Sequence, residues 1–226
     1  MCRGQNFCSE LSDNPTDWDT NCPLPKPKHF SIEIDNLQLA IQFFINGKVE
    51  KCLDVLRAVP SKEITEWYIE HGQMSGRIRN IIIQLKAPEI INSSLRDSIR
   101  SPRKLQNQVF IRDGYRCRYC GNRLINQDLI RLFSKKINSS IFQKGKTNLT
   151  TNGIIHMTWP VADHVIPWNQ GGKTNLENLV SSCAPCNYGK DGYTIEQIGI
   201  SNPFNRKPII DGWNGLNDEL VLLEKI

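Results

Sequence analysis

At 226 residues the chain is long enough for one or two domains. Its 39% apolar and 23% charged residues are ordinary globular usage, which excludes a largely disordered or fibrous chain, and no apolar run approaches the roughly 18 residues of a membrane span. The net charge of +5 is unevenly placed: residues 101–150 hold eleven Lys and Arg against only Asp113 and Asp128, a block that favours a polyanionic partner such as phosphate.

Residues 1–30 read as an extended leader, because Pro15, Pro23, Pro25 and Pro27 oppose helix and apolar periodicity is almost absent. The leader is polar and has no apolar signal segment, so the expectation is a reducing, cytoplasmic compartment with no membrane association. There the eight cysteines are read as thiols or metal ligands rather than disulfides. Cys2, Cys8, Cys22 and Cys52 are scattered singly, and the leader's three have no assigned role.

From residue 31 to 100 the pattern predicts a helical domain. Asp35 can cap a helix whose Leu37, Ala40, Ile41, Phe44 and Ile45 share a face, with Gly47 ending it. A second helix over 49–59 buries Cys52 as a core thiol, along with Leu53, Val55 and Leu56. Pro60-Ser61 restarts the chain into a third helix marked by Ile64, Trp67 and Tyr68, and a fourth is predicted over 76–86. A helix-turn-helix has no specific signature here, and plain helical packing is the simpler reading.

Ser101-Pro102 opens a further helix, serine as cap and proline at the first position, which ends at Asp113-Gly114. A basic insert over 124–152 follows, with a short helix over 127–137, and residues 154–165 read as a strand or hairpin. Thr194 can cap a short helix over 195–200. A tail over 201–226 includes a last helix from about Leu216 to Lys225, packed on the preceding domain or on a second subunit.

Two C-x-x-C pairs, Cys117/Cys120 and Cys183/Cys186, stand 62 residues apart and can meet only through folding. Each turn brings two thiolates within reach of one ion, and four thiolates suit a closed tetrahedral zinc site. The alternative, a redox pair, expects a βαβ context that neither pair has. Between them lie Asp163-His164-Val-Ile-Pro, Gly171-Gly172, Asn175-Leu-Glu-Asn178-Leu179, and then Cys183-Ala-Pro-Cys186-Asn187-Tyr-Gly-Lys190.

With Arg112-Asp-Gly-Tyr-Arg-Cys-Arg-Tyr-Cys-Gly before them, these elements over 112–190 resemble the HNH endonucleases in content and order. The resemblance implies an α+β fold: a helical N-terminal region, then a ββα-metal nuclease domain over 101–200 stapled by a four-cysteine zinc site. It implies a metal-dependent phosphodiester hydrolase with His164 as general base. Asp163 and Asn187 would hold a catalytic Mg²⁺ or Mn²⁺, and Asn178 would brace the loop that orients the histidine. Asn187 stands where the full motif has histidine, making this an H-N-N variant whose donors favour the harder ions.

Arg112, Arg116, Arg118, Lys135, Lys136, Lys144, Lys146 and Lys190 are the expected nucleic-acid contacts, and His29, His71 and His156 are read as structural. The expected substrate is double-stranded DNA, cut in a sequence-specific, restriction or defence role. A homodimer is expected on a palindromic site. A zinc-stapled binding module without catalysis, and a phage or mobile-element nuclease acting on other nucleic acid, stay open as alternatives.

Overall fold

The computed structural model describes residues 21–23, 30–71, 92–147 and 150–226. The expected helix over 76–86 lies outside the described residues, as do Cys2, Cys8 and most of the leader.

Three helices come first: α1 (Phe30–Ile45), α2 (Val49–Ala58) and α3 (Ser61–His71). α1 starts five residues before the expected cap at Asp35. Phe30 and Ile34 continue the stripe of Leu37 and Ile41 and are buried with it, so the helix extends back to include them. Asp35 instead pairs with Arg123, its Oδ1 2.5 Å from Nη2. Gly47, at φ +72°, turns the chain into α2, which lays Cys52 and Leu56 against α1. Burial pushes the Cys52 thiol up to about 11, so it is an inert core group. Trp67 of α3 meets Phe30 edge-on, ring centroids 5.3 Å apart.

After Pro102 the chain makes one 3₁₀ turn before α4 (Gln106–Arg112), and Ser101 donates no side-chain cap. The single helix expected here is therefore split. α4 buries Val109 and Phe110 and ends at Gly114, whose φ of +62° suits glycine. Next comes α5 (Gln127–Ile137), capped by Asn126 Oδ1, which accepts from the Asp128 amide at 2.8 Å. Its Leu129, Ile130 and Phe133 are fully buried, so the segment read as a basic insert supplies part of the core.

Residues 154–165, expected as a strand or hairpin, are strand only in their second half. Gly153–Thr158 is a helix, α6, with every residue buried and Asn152 accepting from the Ile154 amide at 3.1 Å as its cap. A short run buried on all sides has no period to distinguish helix from strand. α6 packs tightly on α3: a Cβ on Gly153 would stand 2.5 Å from the Ser61 carbonyl oxygen. Strand β1 (Pro160–His164) follows and pairs antiparallel with β2 (Leu179–Cys183), in a register that sets Pro160 opposite Cys183 and His164 opposite Leu179. β2 runs directly into α7 (Ala184–Lys190), which packs on both strands.

Residues 195–199 form turns rather than the expected short helix over 195–200. The Thr194 amide donates to Gln197 Oε1 at 2.8 Å and the Gln197 amide returns to the Thr194 hydroxyl at 3.3 Å, which closes a loop that Gly199 ends. The tail finishes in α8 (Asn217–Leu223), which packs on α1 and α5. One apolar cluster runs through all of these elements, from Phe30 and Ile34 to Val109, Phe133, Leu179 and Leu223.

Candidate active site and metal centre

The β1–β2 hairpin has two ends, roughly 14 Å apart along the strand. At one end Cys183 closes β2 and Cys186 sits in the first turn of α7. The turn Cys117–Cys120 comes up against them, and the four Sγ atoms lie within 4.8 Å of one another. A zinc–sulfur bond of about 2.3 Å places tetrahedral thiolates about 3.8 Å apart. The observed Cys120–Cys183 separation is 3.7 Å, so the donor set and its spacing fit a tetrahedral metal such as zinc. A fifth sulfur is present: Cys22 Sγ, buried, stands 3.7 Å from Cys186 Sγ. The sequence did not assign it there.

The knuckle is fastened by a carboxylate that charge counting had treated only as an interruption. Asp113 is fully buried and accepts from Arg112 Nε and Nη2, both at 2.9 Å, from Arg118 Nη1 at 3.3 Å and from the Ser181 amide at 2.7 Å. Arg112 also donates to the carbonyls of Leu176 and Leu179, at 2.8 and 2.7 Å. Arg118 donates to the carbonyls of Pro203 and Arg206, and Arg116 pairs with Asp211. All three arginines grouped in the sequence as nucleic-acid contacts are thus engaged within the protein, and Arg118 is buried. They bind α4, β2 and the tail to the cysteine turn.

At the other end of the hairpin, Asp163 and His164 open onto a cleft of about 580 Å³. Asp163 is largely buried. Its Oδ2 accepts from the Tyr119 hydroxyl at 2.7 Å and faces Lys190 Nζ at 3.4 Å. Burial, and then the Asp163 charge, hold the Tyr119 phenol well above its ordinary value, so it stays a donor. Lys190 is fully buried, and its ammonium has no hydrogen-bond acceptor among the described residues beyond that ion pair. Tyr119 was missed in the sequence, although it stands inside the first C-x-x-C.

The cleft loop is tied across by Asn178. Its Oδ1 accepts from the Ile166 amide at 2.8 Å, and its Nδ2 donates to the Ile166 and Lys173 carbonyls, both at 2.9 Å. Gly172 permits this closeness, since a Cβ there would stand 1.8 Å from the Ile166 oxygen.

His164 Nε2 lies 2.8 Å from Thr174 Oγ1. The Thr174 hydroxyl has one proton and donates it to the Ile99 carbonyl. Toward the imidazole it must therefore accept, which puts the ring proton on Nε2 and the lone pair on Nδ1. Burial pulls the His164 pKa down from its ordinary value. Asp163 opposes that shift, while Lys190 and Arg100 add to it, so the neutral form is favoured. Thr174 was missed because it is fixed by a distant segment: its amide donates to Asp97 Oδ2 at 2.9 Å.

Asn187 is half-buried on α7, one turn before Lys190 and so on the same side of the helix, but it is not among the residues lining the cleft. Lys135, Lys144 and Lys146 are exposed and Lys136 is half-buried; none of the four lines the cleft. Lys144 lies with Arg131 over the Trp159 ring, at 5.2 and 5.1 Å. The cations that do line it are Lys190 and two that sequence reading passed over, Arg96 and Arg100.

The family model described as HNH endonuclease matches residues 160–191, which span β1, the cleft loop, β2 and α7. No curated protein and no solved structure is found to match the chain. The matched segment begins on the strand that ends in Asp163-His164 and closes just past Lys190. The match to the HNH endonuclease model thus falls on the two-strand sheet and the helix after it, with a helical region before it and a four-cysteine cluster beside it.

Proposed function

We propose that this chain is a metal-dependent endonuclease of the HNH type that hydrolyses phosphodiester bonds of double-stranded DNA, with His164 as general base. The observation that most supports it is the Thr174 hydroxyl, which fixes the imidazole with its basic nitrogen, Nδ1, unprotonated. A neutral imidazole at pH 7 takes a proton from an attacking water, a step that general bases accelerate by about 10²- to 10⁴-fold. Asn178 keeps the loop between the strands in place while this happens, and Tyr119 orients the Asp163 carboxylate.

Asp163 and Asn187 offer a carboxylate and an amide oxygen, a hard donor pair that fits Mg²⁺ or Mn²⁺. When bound, such an ion stabilises charge on the phosphate and the departing oxygen. The four cysteines would hold zinc as a structural ion with all four positions filled, outside the chemistry.

Sequence-specific cutting in a restriction or defence role is the finer form of this proposal. The helices α1–α3 leave enough chain for recognition, and a palindromic target would call for two copies. The test is cleavage of supercoiled plasmid with added Mg²⁺ or Mn²⁺, against no added ion and against His164→Ala. Discrete products that need both the ion and His164 are expected. Undiminished cutting by the variant would remove His164 from the reaction, and intact plasmid with zinc-loaded, DNA-binding protein would favour a binding module.

A further inference from the structure

The cleft is bordered by a segment from outside the matched domain. Asp97 fixes it: the Asp97 carbonyl accepts from Trp168 Nε1 at 2.8 Å, and its carboxylate takes the amides of Ile99 and Thr174, both at 2.9 Å. Those two amides hold the carboxyl below its ordinary value. Arg96 and Arg100 flank this clamp, one residue before Asp97 and three after it. Their guanidinium carbons stand 5.1 and 5.3 Å from the centre of the Trp168 ring, and both side chains line the cleft with His164 and Lys190.

A guanidinium over an indole ring gains cation–π attraction, and its planar fork of donors matches the geometry of an oxyanion. Two planar forks gathered on one indole concentrate positive charge at the cleft, and phosphate suits their bidentate geometry. The side wall of the cleft therefore presents two guanidinium cations with the imidazole, and the Lys190 ammonium, ion-paired only with Asp163, lines it as well.

We propose that Arg96 and Arg100 form a phosphate clamp, gripping the nucleic-acid backbone on the flank of the phosphate presented to His164. This rests on the nuclease reading of the same cleft. It makes residues 96–100 the principal backbone contact in place of the Lys-rich segment 135–146. The same segment supplies the Ile99 carbonyl that sets the His164 tautomer, so gripping the backbone and poising the base depend on one strap.

The test is equilibrium binding, which does not depend on cleavage. Zinc-loaded His164→Ala protein is titrated onto a fluorescent 20-base-pair duplex without Mg²⁺ or Mn²⁺, over a range of salt. Each phosphate neutralised contributes about 0.9 to the slope of log K against log salt. Adding Arg96→Gln and Arg100→Gln is expected to weaken binding at least tenfold near 0.1 M salt and to reduce the slope by about two.

The corresponding lysine pair should keep most of the slope while losing affinity, because lysine keeps charge without the planar fork. Lys135→Gln with Lys146→Gln should change the slope less than the arginine pair does. Equal affinity and slope for the arginine variant and its parent, at unchanged melting temperature, would overturn the clamp. So would the absence of any duplex binding by the parent. Arginine-dependent binding by a protein that never cleaves would uphold the clamp and overturn the nuclease reading instead.

Discussion

The two ends of one hairpin behave as opposites. At the cysteine end the sulfurs face one another, Asp113 is satisfied by Arg112, Arg118 and the Ser181 amide, and the nearby arginines are tied to carbonyls. At the Asp163-His164 end the imidazole keeps a lone pair on Nδ1, the Lys190 ammonium has only its ion pair with Asp163, and both residues line a cleft. Saturated polar groups make a staple, and groups left in want of a partner make a site. Tyr119 joins the two, since it stands between Cys117 and Cys120 and donates to Asp163.

The comparison is broken most severely at the staple. Cys183→Ser should abolish stoichiometric zinc and cooperative folding, because a structural zinc supplies on the order of 10 kcal/mol. Metal analysis and circular dichroism would read both, and retention of one zinc with a sharp melting transition would contradict the assignment. His164→Ala should do the reverse: cleavage falls by about 10²- to 10⁴-fold while melting temperature and zinc content hold. A variant that lost stability as heavily as activity would make His164 part of the staple.

Asp113→Ala tests the buried ion pairs. It leaves Arg118 buried without its carboxylate, which should cost about 3–5 kcal/mol in denaturant unfolding; a loss below 1 kcal/mol would show that the carbonyl contacts suffice. Thr174→Val is subtler. It removes the acceptor at Nε2 and should lower kcat about tenfold at near-constant duplex affinity, with Thr174→Ser restoring it. Failure of serine to restore the rate would locate the defect in packing. Cys22→Ser should have the smallest effect, leaving one zinc per chain, since four thiolates complete the tetrahedron. Loss of zinc in that variant would make Cys22 a ligand.

The staple could be read from cysteine spacing, and the matched motif from its resemblance to the HNH endonucleases. Four cysteines in two C-x-x-C pairs, Asp163-His164, Asn178 and Gly172 are local signals whose residue types restrict what they can do, and the structure brings the cysteines together and sets Asn178 across the loop. The helices α2 and α3 form where apolar spacing placed them. Other features were invisible for physical reasons. α6 is buried on every side, so no alternation marks it as helix. Arg112, Arg116 and Arg118 look like phosphate ligands in a charge count, yet Asp113, Asp211 and backbone carbonyls that engage them lie up to 95 residues away. Thr174, Asp97 and the pair Arg96 and Arg100 depend on a contact more than 70 residues long, which no window on the sequence reports.

The account's central claim, that the open end of the hairpin does the chemistry through the imidazole, is tested most directly by chemical rescue. His164→Gly protein, zinc-loaded and supplied with Mg²⁺ or Mn²⁺, is assayed on plasmid with increasing imidazole. The expected result is negligible cutting without imidazole and a rate that rises with the concentration of its free base. Cutting at the wild-type rate by His164→Gly without imidazole would contradict the account.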